Sequence, residues 1–397
     1  MSIEIRCPTD EEWAEVCEVD GRAFGTPYTP EEIEDRRPLH DLSRFRVALE
    51  GGRIVCVVGS YAFDVTLPGG AAVPMAGVTW VSTAVTHRRQ GLMRRVIGAV
   101  HDDIDARGEP VASLYASEGS IYENVGYGIA TRIRVTSIDK RVARIREDFR
   151  VPSGSVRYLE GDEIVPTISK LWEHYRRQHV GEVTRSDEVQ QITYEMRSKP
   201  LGAASRAIYL AHDDGYAMYR LEPRWNDGHP GHILHLLELV ALTPDAHAAL
   251  WQTLLDVDLV AEIRSRAIAL DDPLPFLLEN QRVVRTTDLN DGVWVNVRDI
   301  AIAFGARTYR QADRIVLEAD GERWVIDGGP DGASCRRSRA RADLTTSHAG
   351  FSAMLYGGVL PSALVAGRRM SARSADALAR ADVFFTTSQL PHSQTAY

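Results

Sequence analysis

Apolar positions gather in strand-length runs at residues 45–49, 53–64 and 73–85, and the turn signals Gly51-Gly52 and Pro68-Gly69-Gly70 fall between them. This pattern predicts a meander of antiparallel strands. Ahead of it, Pro8-Thr9-Asp10-Glu11-Glu12-Trp13 opens a helix, with Thr9 or Asp10 as N-cap and acidic residues in the first turn. Behind it the period lengthens, because Leu92, Val96, Ile97, Val100 and Ile104 share one face of a helix. Residues 111–117 then read as a buried strand and 128–137 as the last strand of the group.

The middle third repeats this outline. Runs at 206–211 and 216–221 flank Asp214-Gly215, a hairpin signature, and 233–242 is a long apolar strand. Thr243-Pro244-Asp245 caps a helix that carries Ala249, Leu250, Leu254 and Leu255. From Gly292 the pattern predicts strands at 293–297, 314–319 and 322–327, then 342–347 and helical stretches containing 351–356. The fold class is therefore mixed α+β and α/β. A chain of 397 residues is too long for one core, which predicts domains at 1–150, 151–290 and 291–397.

Composition narrows the function. A formal net charge of -9 disfavours nucleic acid as a partner and suits cationic substrates. Cys7, Cys17, Cys56 and Cys335 are scattered and no histidines cluster, so neither a disulfide framework nor a metal site is expected, and a reducing cytoplasm is the natural compartment. No signal-peptide layout and no apolar run near the roughly 20 residues of a membrane span are present in the sequence, so no membrane partner is expected.

The chemistry concentrates at Arg88-Arg89-Gln90-Gly91-Leu92-Met93-Arg94, between a strand and a helix. A helix start leaves unpaired N–H groups and the positive end of the helix dipole, which together favour an anion. Gly91, lacking a Cβ, admits close approach of a ligand to the backbone, and Arg88, Arg89 and Arg94 offer charge-assisted hydrogen bonds to phosphate oxygens. Arginines at a helix start are equally compatible with solvated surface charge.

The spacing Arg88-x-x-Gly91-x-Met93 resembles the pyrophosphate loop of the GNAT superfamily of N-acetyltransferases, with Met93 where the family places a small residue. Glu118-Gly119-Ser120-Ile121-Tyr122-Glu123-Asn124-Val125-Gly126-Tyr127 resembles the aromatic motif of the same superfamily. The resemblance implies acetyl-coenzyme A as co-substrate, direct attack of an amine on the thioester, and Tyr122 as general acid to the departing thiolate. A phenol near pKa 10 and a thiol near 8.5 make that transfer uphill by only about 2 kcal/mol. Tyr122 also fits a core aromatic with a satisfied hydroxyl, and Tyr127 fits packing better than chemistry.

Coenzyme contacts are expected from backbone groups of Val81 and Thr83 and from Arg88, Arg89, Gln90, Gly91 and Arg94, with Ser117 either beside them or acting as a helix N-cap. The middle domain has no counterpart of Arg-x-x-Gly and reads as a silent second copy. The last domain is similar to the sterol-carrier-protein type.

Two GNAT-like domains and such an end resemble the Eis acetyltransferase family. Thr86-His87-Arg88-Arg89-Gln90-Gly91-Leu92, Ala116-Ser117-Glu118-Gly119 with Ile121-Tyr122, Asp272-Pro273-Leu274-Pro275 and Gln394-Thr395-Ala396 carry that resemblance. It implies amine acetylation of aminoglycosides, polyamines or lysine side chains, a hexamer, and a C-terminal carboxylate, here that of Tyr397, reaching the active site as base or cation anchor. Phe24 is the expected wall of the substrate pocket, and Glu118, Glu32 or Glu34 the expected attraction for a polycation. Tyr115 stands where the family can carry a histidine. The competing readings are a coenzyme A or lipid sensor without turnover and a protein-lysine or peptide acetyltransferase.

Overall fold

The computed structural model describes residues 3–149 and 154–397. Packing divides the chain into two units. The first takes the chain up to Ala130, then Val293–Ser388 and Thr395–Tyr397; the second holds Thr131–Gly292 and Gln389–Gln394.

In the first unit a seven-stranded sheet has the order Ile3–Arg6, Arg46–Glu50, Arg53–Thr66, Ala72–Thr83, Val111–Tyr115, Val293–Val297, Gly128–Ile129. All pairs are antiparallel except Ala72–Thr83 with Val111–Tyr115, which are parallel because the helix Leu92–Ala106 carries the chain back between them. That helix buries Leu92, Val96, Ile97, Val100 and Ile104, the face its sequence period marked. On the opposite flank the helix Trp13–Phe24 packs Trp13, Val16, Cys17 and Val19 against Phe45, Val47 and Val57. It follows a short 3-10 turn whose N-cap is Thr9, joined to Glu12 in a capping box, and it ends at Gly25 with φ +70°.

Two strands differ from the sequence expectation. Residues 128–137 do not form one strand: Gly128–Ile129 closes the first sheet, and Arg132–Asp139 pairs with Val260–Ser265 and Val284–Asp291 in the second unit. Val293–Val297 is not a strand of the last third. It lies inside the first sheet, between Val111–Tyr115 and Gly128–Ile129, with all five residues buried. A strand buried on both faces is continuously apolar, and such a pattern carries no label for the sheet it joins.

A second sheet of the first unit has five strands in the order Gly332–Arg337, Glu322–Gly329, Asp313–Ala319, Leu344–Thr346, Met370–Ala372. Helices Ile300–Ala306, His348–Ala353 and Ala375–Phe385 supply Phe304, Phe351, Phe384 and Phe385 to its core. Arg307 is fully buried among them, with no carboxylate partner among the described residues; its guanidinium donates to the carbonyls of Met354, Leu355 and Phe385.

The second unit contains a seven-stranded sheet in which His232–Ala241 and Val260–Ser265 run parallel, joined through the helix Pro244–Asp256. This repeats the strand, helix, strand order of the first unit. The connection, however, is only Leu242 and Thr243, and the Thr243 hydroxyl accepts from the Ala246 N–H at 3.2 Å. The helix start is thus occupied by its own cap, with no arginine turn in front of it. Burial holds a charge pair in this unit: Arg185 lies 2.7 Å from Glu238 and stacks 3.3 Å above the Trp172 ring. Among the described residues no helix is long and apolar enough to cross a membrane.

Candidate active site

The strands Ala72–Thr83 and Val111–Tyr115 are paired only at Met75 with Val111, Ala76 with Ala112 and Gly77 with Ser113. Beyond that point each keeps its outer partner and loses the inner one, so the sheet forks. The outer pairing is itself irregular. Gly59 faces Thr79 and Val57 faces Ser82, which leaves Trp80 and Val81 together opposite Val58. Trp80 accordingly takes φ +55°, a left-handed conformation that costs a bulky residue about 1–3 kcal/mol and persists only where its surroundings enforce it. Its ring is wedged among Trp13, His40 and Phe45, with centroids 5.3, 4.9 and 6.0 Å away.

The fork opens into a cavity of about 240 Å³. Val78, Thr79, Trp80 and Val81 line one side and Leu114, Tyr115, Ala116 and Ser117 the other, while Phe24, Tyr122 and Tyr397 complete it. Phe24 is half-exposed at the end of its helix. Hollows of about 480 and 880 Å³ lie on the second unit; the first is lined mainly by charged and aliphatic side chains such as Arg141, Arg144 and Leu255, and the second carries Tyr194 and Ser169 beside Lys170, Asp187 and Glu188.

Tyr122 sits on the short helix Gly119–Glu123 and is 3% exposed. Its hydroxyl lies 3.5 Å from Ser117 Oγ, and its ring meets Tyr127 edge-on at 6.2 Å. Burial, with the charge of Glu118 adding to it, raises the phenol above its ordinary range, and the Ser117 hydroxyl opposes this. Such a phenol stays protonated through neutral pH. Tyr127 is wholly buried, with its hydroxyl 3.0 Å from His101 Nε2.

Tyr397 enters by its side chain. The phenol oxygen is 2.6 Å from Ser113 Oγ, and the ring packs against Phe63 and Tyr115 at 5.1 and 5.3 Å. Tyr115 Oη donates to the carbonyl of Thr395 at 2.9 Å. Tyr115 therefore anchors the segment that carries Tyr397.

At the other end of the forked strand, which stops at Thr83 and is followed by the 3-10 turn Val85–His87, lies the arginine turn. Arg89 has φ +62° and Gly91 φ +72°, on either side of Gln90. A Cβ on Gly91 would meet nothing within 4 Å, so glycine is required here by the backbone angle. Leu92–Ala106 starts at once, with its first N–H groups at this turn, and Gly91 as N-cap offers no side chain to occupy them. Arg88, Arg89, Arg94 and Arg95 are exposed, and none forms an ion pair with any described residue. Met93 packs against the core below the turn, so its bulk does not obstruct the anion side. Gln90 donates weakly to the Thr86 carbonyl at 3.4 Å. These features fit a pyrophosphate.

The remaining expected residues are placed less centrally. The Thr83 side chain pairs with Cys56 Sγ at 3.2 Å and does not line the cavity. Glu118 is exposed, stands outside the cavity wall and takes the N-cap position of the Tyr122 helix, which displaces Ser117 from that role. Glu32 serves the capping box of Pro30–Arg36 with Thr29. Sequence reasoning missed Trp80 in the cavity wall and Ser113 beneath Tyr397. A bulge leaves no periodic signal, and buried polar partners distant in sequence leave none either. Among the described residues no group of three or more His, Cys, Asp or Glu side chains is arranged to hold a metal ion.

Comparison with known proteins agrees with this geometry. Residues 4–130 and 181–298 match two family descriptions that both read acetyltransferase (GNAT) domain. The chain is 31% identical to the N-acetyltransferase Eis of Mycobacterium tuberculosis over the full length of both. It is 33% identical to an uncharacterized N-acetyltransferase of Streptomyces coelicolor, with 98% of each covered. The crystal structure of Eis1 from Mycobacterium abscessus superposes with a TM-score of 0.88 at 28% identity, covering 99% of this chain and all of the other. A GCN5-related N-acetyltransferase from Anabaena variabilis shares the fold at a TM-score of 0.86 and 17% identity, covering all of both chains. A parted sheet with a buried phenol, an arginine turn at the head of the next helix and full-length relatedness together make this chain an N-acetyltransferase of the Eis family.

Proposed function

We propose that this enzyme acetylates amines of cationic small molecules such as aminoglycosides or polyamines, or lysine side chains, with acetyl-coenzyme A as donor. GNAT acetyltransferases use that co-substrate, and the observation that supports its use here is the single cavity shared by Val81, Ser117, Tyr122 and Tyr397 at the sheet fork. In this reading Arg88, Arg89, Gln90, Gly91 and Arg94 hold the pyrophosphate, and backbone groups of Val81 and Thr83 guide the pantetheine arm.

The amine nitrogen attacks the thioester carbonyl, a C–N bond forms as the C–S bond breaks, and Tyr122 gives its proton to the departing thiolate. A terminal carboxylate on Tyr397 attracts the substrate ammonium. With an ordinary pKa near 3.5 it is a weak base toward an ammonium near 10, so it passes the proton through water. Phe24 forms the outer wall, and Glu118 contributes negative charge at a distance.

The same reading gives the three parts of the chain separate tasks: catalysis at 1–150, scaffolding at 151–290, and at 291–397 a sterol-carrier-like domain whose end reaches the active site. It also takes the enzyme to be a cytoplasmic homohexamer. The test mixes protein, acetyl-coenzyme A and a polyamine or aminoglycoside and follows free thiol. Amine-dependent release that is lost in Tyr122→Phe supports the reading. Coenzyme binding without release makes the protein a sensor, and turnover with macromolecular amines alone makes it a protein acetyltransferase.

A further inference from the structure

Two buried polar side chains near the fork have no part in the chemistry above. Asp20, 5% exposed, accepts hydrogen bonds from Ser82 Oγ and from Tyr28 Oη at 2.9 Å. His40, 3% exposed, has Nδ1 2.6 Å from the Arg36 carbonyl and Nε2 2.8 Å from Tyr61 Oη.

The second set can be given a direction. A carbonyl only accepts, so Nδ1 of His40 donates to Arg36. Burial keeps the imidazole neutral, with its pKa pushed down to about 4, so Nε2 carries no proton and accepts from the Tyr61 hydroxyl. The Tyr61 oxygen in turn accepts from Trp80 Nε1 at 3.3 Å. The chain therefore runs one way, from Trp80 through Tyr61 and His40 to the backbone of Arg36.

Its endpoints matter. Trp80 is the left-handed residue of the bulge, Ser82 follows the bulge immediately, and between them Val81 lines the cavity. A bulky residue keeps φ +55° only while its surroundings hold it there, and here one hydrogen-bond anchor stands on either side of Val81.

We propose that the Trp80–Tyr61–His40 chain and the Asp20–Ser82 bond act as a two-point clamp that fixes the bulge and so sets where the backbone of Val81 meets the pantetheine arm that carries the thioester. Asp20, His40, Tyr61 and Ser82 are positioning residues for acetyl transfer, and this rests on the reading of the site given above.

Tyr61→Phe removes one oxygen from the first anchor, and Ser82→Ala removes the second. With the full-length enzyme, each variant is expected to lose about tenfold or more in kcat while the KM for the amine stays within about twofold and the melting temperature stays near wild type. The double variant loses more than either. A kcat within about twofold of wild type in both single variants overturns the proposal, as does a loss that only tracks melting temperature. Failure of both variants to fold also overturns it, because the network then serves stability alone. If the wild type turns over no amine, the reading of the site fails first. Coenzyme A affinity by calorimetry then decides the clamp: weakened binding in both variants supports it, and unchanged binding overturns it.

Discussion

Tyr397 Oη lies 2.6 Å from Ser113 Oγ, and Ser113 is the last residue paired across the fork, opposite Gly77. Ser113 Oγ is also 3.0 Å from Met75 Sδ, a thioether that only accepts. The serine proton therefore points to sulfur and the phenol proton to serine, which fixes both hydroxyls. A Cβ on Gly77 would come within 3.0 Å of the Tyr397 ring and 2.5 Å of Phe63. The end of the chain is thus seated by its side chain in a socket at the branch of the sheet.

The socket makes a graded expectation. Tyr397→Phe loses one hydrogen bond, about 1 kcal/mol, and keeps the ring in place, so kcat falls modestly. Gly77→Ala displaces the ring and its chain end, and lowers kcat further while leaving the KM for acetyl-coenzyme A near wild type. Steady-state kinetics on both variants, with melting curves as control, check the order.

Removing the proposed acid should act on rate alone. Tyr122→Phe keeps the buried ring and its contact with Tyr127 but has no proton to give, and a positioned general acid is worth about 10²–10⁴-fold. The expected result is a kcat loss in that range with unchanged coenzyme affinity. A variant retaining most of its activity would assign the proton to water.

At the arginine turn the expected signature is affinity and salt dependence. Hydrogen bonds to a charged partner contribute about 1.5–3 kcal/mol, so Arg88→Ala or Arg94→Ala should weaken coenzyme A binding by roughly 10- to 100-fold and flatten its dependence on ionic strength. Gly91→Ala meets no neighbour, and its cost is the left-handed backbone, about 1–2 kcal/mol. Titration calorimetry at two salt concentrations separates these effects.

Acid should loosen the first unit. Burial lowers His40 to about 4 and His101 to about 3, from an ordinary 6.5. Between those values and 6.5 the unfolded chain binds more protons than the native one, so stability falls as pH drops through this window and is full above it. Urea midpoints measured from pH 7 to pH 4 should decline, and His101→Gln should flatten part of that slope.

Much of the fold was legible where the cause is local. The helix face of Leu92, Val96 and Ile97 and the Thr243 cap depend on neighbours in sequence and stand where their pattern put them; the hairpin forms too, with its turn one residue earlier at Asp213-Asp214, since Gly215 already pairs with His212. The turn at Arg89 and Gly91 was legible for the same reason, since a strand end, a glycine and a helix start lie within a few consecutive residues. What stayed hidden depends on distant partners. The bulge at Trp80 is defined against Val58, the fork against Ser113, and the seat of Tyr397 against residues some 280 positions earlier. Hydrophobic period says that Val293–Val297 is a buried strand, and it says nothing about which edge receives it.

That late strand has a consequence for how the protein is made. Residues 1–150 translated alone would present Val111–Tyr115 with one edge bare and Trp294 missing from the core it completes. Such a fragment is expected to aggregate, as light scattering would show, whereas the whole chain stays monodisperse. On the ribosome the nascent sheet must wait, half-closed, until synthesis has passed residue 297. An exposed edge held through that delay is an invitation to chaperones, and pauses in translation between 130 and 293 would bear directly on yield.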